Sequence, residues 1–297
     1  MRCRSAHWPA RLHRQSVAAT GGVDFRMARQ RLGQHFLADL ETRELIAREI
    51  GVSRHAIGGA RPSAGNSCWI EIGAGHGEMT ENLVASGSPV HAIEVDPPLI
   101  SGLQRMAKQF ANLTVVPGDI LELDLAALAA GRRVRVYGNL PYYITSPILQ
   151  RLFSWADLID EIHIVIQHEV ALRLAAKPGT SDYGFLSVLT QYFSRPDIAL
   201  EIPREAFAPP PEVESALVSL RFPGARAKLQ PPNEDAFFDF VKLCFAKKRK
   251  TLVNNLRSLS EPEVVRGALA KMDLRPDARA EQLGVAELAA LQKRLAG

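Results

Sequence analysis

The chain lacks the features that define several common classes of protein. It has three cysteines, Cys3, Cys68 and Cys244, which lie far apart and form no CxxC pair. This argues against a disulfide framework and a zinc site, and it fits a reducing compartment. No apolar run approaches the roughly 18 residues of a membrane-spanning helix. We therefore expect a cytoplasmic protein with no metal site and no membrane partner.

A net charge is also lacking over most of the chain. The 297 residues carry +4 in total. The first 26 residues hold five arginines and a single acid, Asp24, which accounts for all of that charge. Residues 27–297 are neutral on balance, so global basicity is no evidence for a polyanionic partner. Only local clusters of charge can supply such evidence.

Residues 1–26 differ from the rest of the chain. They lack the apolar core of a secretory signal, although their Arg-rich, acid-poor composition faintly resembles an organelle transit peptide. Met27 opens the first well-patterned stretch. We expect residues 1–26 to be a disordered extension or a mis-assigned start of the chain.

From about residue 68, apolar runs typical of buried strands alternate with helical patterns. Such alternation predicts an α/β fold with a parallel sheet covered by helices on both faces. The predicted strands are Cys68–Ile72, Val90–Val95, Leu113–Val116, Val134–Tyr137 and Ile162–Ile166, and the helical patterns between them lie near 78–86, 97–109, 122–130 and 145–153.

The last quarter of the chain is patterned differently. After two further strands, Ile198–Ile202 and Ala216–Phe222, residues 223–233 form a plausible linker. Beyond it only helical patterns occur, near 234–246, 249–258, 261–271 and 280–295. We predict a catalytic domain over 27–222 and a small all-helical C-terminal domain over 223–297.

A glycine-rich motif, Glu71-Ile-Gly-Ala-Gly-His-Gly77, ends the first predicted strand and opens a helix. Glycines such as Gly73 and Gly75 allow positive φ and a close approach of the backbone to a ligand. A dinucleotide fingerprint would be G-x-G-x-x-G, but this chain has Glu78 at the position of its third glycine. Because a carboxylate there repels a pyrophosphate, a cofactor without phosphates fits better.

Polar residues follow the next three predicted strands. Glu94 ends the second, 21 residues after Gly73, at the spacing where an acid binds ribose hydroxyls. Asp119 follows the third, where it can accept from an adenine amine, and Asn139 follows the fourth. Acids at strand ends also serve as helix caps. With the glycine motif these make four positions on one sheet edge, and together they favour S-adenosylmethionine, a phosphate-free cation, over a nicotinamide dinucleotide.

The segment Gly138-Asn139-Leu140-Pro141-Tyr142 has the parts of an amine-binding turn. The Asn139 side-chain oxygen and one backbone carbonyl, of Leu140 or of Pro141, would accept hydrogen bonds from the two N–H groups of an adenine amine. The lone pair of the amine nitrogen would then point at the methyl group of the cofactor, while Tyr142 stacks on the base. The alternative is an ordinary turn after a strand.

A second aromatic residue is a candidate for the other face of the base. Phe207 precedes three prolines that stiffen its loop. Stacking on an unpaired base contributes about 1–3 kcal/mol. The alternative is that Phe207 anchors its loop on the core.

These segments together resemble the ribosomal RNA adenine dimethyltransferases, the KsgA/RsmA family. The resemblance runs from about Arg29 to the C-terminal helices. The segments that carry it, in the family's order, are Gln34–Leu37, Glu71–Gly77, Glu94–Asp96, Gly118–Asp119, Gly138–Tyr142 and Phe207–Val213.

The resemblance implies a Rossmann-like class I S-adenosylmethionine-dependent methyltransferase that dimethylates two adjacent adenines in the 3′-terminal hairpin loop of 16S rRNA in the small ribosomal subunit. It also implies a role in subunit biogenesis, and we expect a monomer. The residues implied to contact the cofactor are His35, Leu37, Gly73, Glu94, Asp119 and Asn139. His35 stands where many members have Asn, and Tyr143 where some have Asn.

A basic cluster with no acid among its members lies near the C-terminus. Lys247, Lys248, Arg249 and Lys250 are its centre, and we predict that they contact RNA phosphates. The alternative is a solvated helix face.

Two rival functions stay open. One is a large-subunit (23S) rRNA adenine methyltransferase of the macrolide-resistance type, against which the triple-proline loop with Glu212 and Val213 argues. The other is a ribosome-assembly factor that acts mainly by binding.

Overall fold

The structure of the protein is a computed structural model that describes residues 35–53, 66–229, 231 and 233–296. The predicted extension over residues 1–26 lies outside these ranges. The described strands are β1 (Phe36–Leu37), β2 (Ser67–Ile72), β3 (Val90–Glu94), β4 (Leu113–Pro117), β5 (Arg133–Asn139), β6 (Ile159–Gln167), β7 (Arg195–Ile202), β8 (Phe207–Ala208) and β9 (Ser215–Arg221).

The described α-helices are α1 (Leu40–Glu49), α2 (Thr80–Ala85), α3 (Pro97–Ala107), α4 (Leu125–Ala129), α5 (Thr145–Phe153), α6 (His168–Ala175), α7 (Phe185–Phe193), α8 (Arg226–Leu229), α9 (Glu234–Cys244), α10 (Leu252–Asn255), α11 (Pro262–Ala270) and α12 (Val285–Leu295).

Seven strands form one sheet, in the order β4-β3-β2-β5-β6-β9-β7. The β2–β3 and β3–β4 pairs are parallel, whereas β9 runs antiparallel to both β6 and β7. A second, two-stranded sheet pairs β1 with β8, so that Leu37 lies opposite Phe207. The predicted α/β fold is therefore confirmed, with antiparallel pairs at one edge of the sheet.

The chain divides into two compact units, each discontinuous in sequence. The first contains the described residues up to Arg132, together with Gly138–Asp157 and Pro203–Glu212. In its central strand, β2, the side chains of Cys68, Trp69 and Ile70 are all fully buried. Burial of successive side chains is typical of a parallel strand covered on both faces.

Helices of the first unit begin at residues whose chemistry suits a helix start. Asp39 accepts a hydrogen bond from Thr42 N at 2.7 Å and so caps α1. Asp124 caps α4 in the same way, with Ala126 N at 2.9 Å. Pro97 is the first residue of α3, where its missing N–H is not needed. These residues favour the start of each helix at its observed position.

The second unit contains Arg133–Tyr137, Leu158–Ile202 and the chain from Val213 onwards. Its core includes an aromatic cluster in which Tyr192 and Phe193 of α7 contact Phe237 and Phe238 of α9. All four rings are buried. Because such rings contribute large buried areas, this cluster holds the C-terminal helices of the unit onto α7.

Three segments differ from the sequence predictions. No element was predicted over residues 168–193, where α6 and α7 lie; α7 is mostly apolar, and its polar residues Ser187 and Thr190 are buried. The predicted linker over 223–233 contains the short helix α8. The predicted helix over 249–258 is confined to α10, whose last residue, Asn255, donates its side-chain amide to Cys244 O at 2.6 Å.

The predicted boundary between residues 222 and 223 falls within the span of the second unit. The extent of the two predicted domains stays a prediction. None of the helices in the described ranges is long and apolar enough to cross a membrane.

Candidate active site

The glycine-rich loop after β2 is held by a buried carboxylate. Gly73 and Gly75 both adopt positive φ, +67° and +60°, which favours glycine. Gly75 N donates to Glu94 Oε2 at 2.9 Å. The other oxygen of Glu94 accepts from Val95 N at 2.8 Å and Asp96 N at 3.0 Å. Glu94, only 3% exposed, thus joins the glycine loop to the end of β3.

A second carboxylate takes a donor that a phosphate would need. His76 N donates to Glu78 Oε2 at 3.0 Å. A pyrophosphate at this loop would have to displace the carboxylate and would meet its charge. The geometry therefore agrees with the exclusion of a diphosphate cofactor argued from the sequence.

The three glycines of the motif face different surroundings. A Cβ added at Gly75 would lie 3.2 Å from the Phe36 ring, and one at Gly77 would collide with Met106. At Gly73 the nearest heavy atom would be Asn139 O, 3.9 Å away. Gly75 and Gly77 thus serve internal packing, whereas Gly73 leaves open space that faces the Asn139 turn.

The first residue of the glycine motif is a buried acid. Glu71 is 2% exposed, and Thr80 Oγ1 donates to its Oε2 at 2.5 Å. Burial raises the pKa of Glu71 to about 8; the Thr80 hydrogen bond opposes the rise, and the charges of Glu78 and Glu94 add to it. Glu71 is therefore largely protonated at neutral pH and links β2 to the start of α2.

Asp119 lies at the turn that follows β4. Its Oδ1 accepts from Leu121 N at 2.9 Å, and its side chain is exposed. One carboxylate oxygen therefore fixes the local turn, while Oδ2 points to no protein donor within the described ranges. Asp119 is placed to accept a hydrogen bond from a ligand.

The Asn139 turn starts where β5 ends, against the end of β2. A Cβ at Gly138 would lie 3.2 Å from Ile72 O and 2.9 Å from Leu140 Cδ2, so only glycine allows this approach. Asn139 Nδ2 donates to His35 O at 2.8 Å. Because a carbonyl can only accept, this bond identifies Oδ1 as the free end of the amide. Within the described residues, Oδ1 makes no hydrogen bond.

The two candidate backbone acceptors of the turn differ. Pro141 O accepts from Ile144 N at 3.2 Å and from Thr145 Oγ1 at 3.3 Å. Both bonds hold the start of α5. No donor contacts Leu140 O in the part of the chain that the structure describes. With both lone pairs of Pro141 O engaged, Leu140 O is the available acceptor beside Asn139 Oδ1.

One face of Tyr142 is already covered. The His35 ring stacks on it, with centroids 5.7 Å apart and planes 25° from parallel. His35 Nδ1 also donates to Pro209 O at 2.8 Å. The segment ahead of α1 is thereby joined to both the Asn139 turn and the triple-proline loop.

Leu37 and Phe207 are interior residues. They lie opposite each other in the β1–β8 pair and are 3% and 2% exposed. In this arrangement Phe207 anchors its loop on the core, which was the alternative interpretation from the sequence. Stacking on a target base would require its ring to be uncovered.

The structure places the predicted catalytic and cofactor residues in the first unit. The predicted RNA-binding residues lie in the second unit, in the turn between α9 and α10. All four basic residues are exposed. Lys248 Nζ donates to Ser181 O at 2.5 Å, while Lys247, Arg249 and Lys250 make no ion pair with any described residue. They stand on a turn and not on the helix face of the alternative interpretation.

Several residues that shape the site were missed by sequence reasoning. Phe36 packs against Gly75 and against the His76 ring, with centroids 4.7 Å apart. Arg43 Nε donates a hydrogen bond to the Leu37 carbonyl at 2.6 Å. Thr80 holds the acid of the glycine motif. Phe36 belongs to a motif that was recognised, but no local pattern marks Arg43 or Thr80.

The described ranges contain no cluster of candidate metal ligands. No group of three or more His, Cys, Asp or Glu side chains there is placed to hold a metal ion. Cys68 and Cys244 are both buried with free thiols.

Residues 26–297 match the family model described as ribosomal RNA adenine dimethylase. The chain is 38% identical over 274 residues to the ribosomal RNA small subunit methyltransferase A of Alkaliphilus metalliredigens (strain QYMF), which covers 89% of this chain and 91% of that protein. It is 37% identical over 277 residues to the protein of the same name from Moorella thermoacetica, covering 90% and 92%.

Two solved structures share the fold over most of their length. A dimethyladenosine transferase from Plasmodium falciparum has a TM-score of 0.72 at 23% identity, covering 88% of this chain and 98% of that one. The 23S rRNA methyltransferase ErmE has a TM-score of 0.63 at 25% identity, covering 88% and 100%. The predicted Rossmann-like methyltransferase fold is thereby confirmed.

Proposed function

The chain belongs to the ribosomal RNA adenine dimethylase family, and we propose that it dimethylates the exocyclic amines of two adjacent adenosines in the 3′-terminal hairpin loop of 16S rRNA. The observation that carries this proposal is the pair of free acceptors, Asn139 Oδ1 and Leu140 O, at the end of β5. An adenine amine has two N–H groups to offer to two such acceptors.

S-adenosylmethionine, when bound, supplies an electrophilic methyl group on a sulfonium. The donor set fits it: the Glu78 carboxylate on His76 N disfavours phosphates, and the open space beside Gly73 admits a ligand. We assign its ribose to Glu94 and its adenine amine to Asp119. Three amides already bind the Glu94 carboxylate, which leaves about one of its roughly four acceptor positions for a hydroxyl.

The residues of the turn activate the target amine. In free adenine the amine lone pair is delocalised into the ring, so the nitrogen is a poor nucleophile. When Asn139 Oδ1 and Leu140 O accept hydrogen bonds from its two N–H groups, the nitrogen becomes pyramidal and its lone pair points away from the turn. Catalysis is then orientation plus fixed dipoles, both set before the substrate arrives. The methylated amine is a cation that loses its proton readily, so no strong base is needed.

A second group of residues, in the second unit, contributes to RNA binding. The cluster Lys247–Lys250 presents exposed cations, three of them without a counter-charge among described residues. Such groups bind phosphates by releasing counterions, which raises affinity without reading sequence. The choice of adenosines then rests on the hydrogen-bond acceptors at the Asn139 turn.

Two finer assignments complete the proposal. The curated relatives at 37–38% identity are named for the small subunit, which supports 16S over 23S rRNA as substrate. We also propose that the protein acts in the cytoplasm, as a monomer, during subunit biogenesis. Size-exclusion chromatography with light scattering tests the monomer, which should show a mass near 32.6 kDa.

The central test uses small subunits from cells that lack the modification. Purified protein and radiolabelled S-adenosylmethionine should add four methyl groups per subunit, and primer extension should stop at two adjacent adenines near the 3′ end. Large subunits serve as the parallel substrate. Incorporation into 23S rRNA alone would support the macrolide-resistance type instead, and no incorporation into either would leave only the binding function.

A further inference from the structure

One residue contacts three parts of the candidate site. The main-chain carbonyl of His35 accepts from Asn139 Nδ2 at 2.8 Å. Its ring Nδ1 donates to Pro209 O at 2.8 Å, and the ring face stacks on Tyr142. His35 therefore connects the catalytic turn to the loop that contains Phe207.

The carbonyl contact decides which atom of Asn139 is the acceptor. If His35 O moved away, the amide of Asn139 would lose the partner that holds its NH₂ group, and a rotation of 180° would exchange Oδ1 and Nδ2. A donor would then face the target amine, which itself offers only donors along those directions. The position of His35 O therefore controls the active orientation of the turn.

No strand pairing among the described residues holds that carbonyl. His35 lies one residue before β1, and none of its main-chain groups takes part in the β1–β8 pairing that Phe36 and Leu37 make. Within the described ranges, its hydrogen bonds are these two, and its ring contact is the stack on Tyr142. Both partners of the ring belong to segments that start at strands: Tyr142 lies in the turn after β5, and Pro209 directly follows β8.

We propose that the His35 side chain is a positioning residue, which keeps its own carbonyl on the Asn139 amide by binding Pro209 O and Tyr142. The proposal rests on the proposed function of the Asn139 turn. It differs from the role as a cofactor contact that the family resemblance implies, because the effect on methyl transfer passes through Asn139.

Substitutions that keep only one part of the imidazole can test the hydrogen bond to Pro209 and the stack on Tyr142 separately. In Asn the Nδ2 atom stands at the same distance along the side chain as His Nδ1, so His35→Asn can still donate to Pro209 O. In Gln the amide nitrogen stands at the position of Nε2, which makes no contact here, so His35→Gln is the matched control. His35→Phe keeps a ring for Tyr142 but has no donor, and His35→Ala removes both contacts.

The experiment measures kcat and KM for small subunits, the Kd of S-adenosylmethionine by calorimetry, and the melting temperature of each variant. We expect His35→Ala and His35→Gln to lower kcat about 10- to 100-fold, since a displacement of about 1 Å costs up to about 10²-fold. His35→Asn should recover most of the loss, with the Kd of S-adenosylmethionine changed less than about twofold throughout.

Three outcomes would overturn the proposal: an unchanged kcat in His35→Ala, equal losses in His35→Asn and His35→Gln, or a Kd of S-adenosylmethionine that rises in step with the loss of kcat. If His35→Ala does not fold, the comparison of His35→Asn with His35→Gln still decides. Failure of the wild-type protein to methylate adenines would count against the proposed function. The failure of the proposed function is thereby distinguished from the failure of the His35 proposal.

Discussion

The side-chain amide of Asn139 donates to the main-chain carbonyl of His35, 104 positions earlier in the chain, at 2.8 Å. This bond leaves Asn139 Oδ1 free as an acceptor, beside the free carbonyl of Leu140. A residue just before β1, a strand of the small two-stranded sheet, thus orients the turn that follows β5 of the seven-stranded sheet.

Replacing Asn139 by Ala should abolish methylation and leave subunit binding intact. The change removes one of two acceptors for the target amine, and the loss of one preorganised dipole costs on the order of 10²–10³-fold in rate. Methyl incorporation and filter binding to small subunits measure the two effects separately. Tyr143→Ala, at an exposed position beside the turn, serves as the control for local disturbance. Full methylation by Asn139→Ala would contradict the mechanism.

Replacing Glu94 by Gln should weaken both the fold and cofactor binding. An amide NH₂ cannot accept, so at least one of the three backbone donors bound by Glu94 loses its partner. A hydrogen bond to a charged group is worth about 1.5–3 kcal/mol. Denaturant unfolding should show a loss of that size, and calorimetry a rise in the Kd of S-adenosylmethionine of tenfold or more. Glu122→Gln, at an exposed site, should change neither; if both variants behave alike, the glycine loop does not depend on Glu94.

The buried acid Glu71 should make stability depend on pH. Its pKa is about 8 in the folded protein and near the ordinary value of 4.5 when unfolded, so folding takes up a proton between these pH values. The stability it contributes is complete below about pH 4.5 and is lost as the pH rises towards 8.

Glu71→Gln cannot take up that proton, so its free energy of unfolding should rise relative to the wild type as the pH increases from 5 to 8. Urea unfolding at several pH values measures the difference, in which the titration of other groups cancels. The exposed Glu122→Gln variant should run parallel to the wild type. A constant difference between Glu71→Gln and the wild type would show that Glu71 is ionised in the folded state.

Neutralising the basic turn should reduce RNA affinity in a salt-dependent manner. In the triple variant Lys247→Gln, Arg249→Gln, Lys250→Gln, each lost phosphate contact lowers the slope of log K against log salt by about 0.7–0.9. Filter binding to small subunits between about 50 and 200 mM salt gives that slope.

A matched triple variant removes the same charge elsewhere, at the exposed lysines Lys108, Lys271 and Lys293. It should lower the slope much less. Equal slopes for the two triple variants would mean that the basic turn has no special part in RNA binding.

The sheet was predictable because its strands are short, apolar and separated by amphipathic helices. The strand predicted over Val134–Tyr137 is β5, and its neighbours begin or end within a few residues of their predicted bounds. The helix α7 was not predicted, since Phe185–Phe193 is mostly apolar and even its polar residues Ser187 and Thr190 are buried. Burial within the tertiary fold, and not local periodicity, makes that segment helical.

Sequence by itself determined the glycine motif without a phosphate site, the acids at the strand ends and the turn at Asn139. These follow from local patterns, because parallel strands bring their carboxyl ends to one edge of a sheet. Only the tertiary structure decided that Leu140 O, and not Pro141 O, is the free carbonyl, and that three amides bind Glu94. It alone joined His35 to Asn139 and to Pro209, since pairing across 104 and 174 positions leaves no trace in local periodicity.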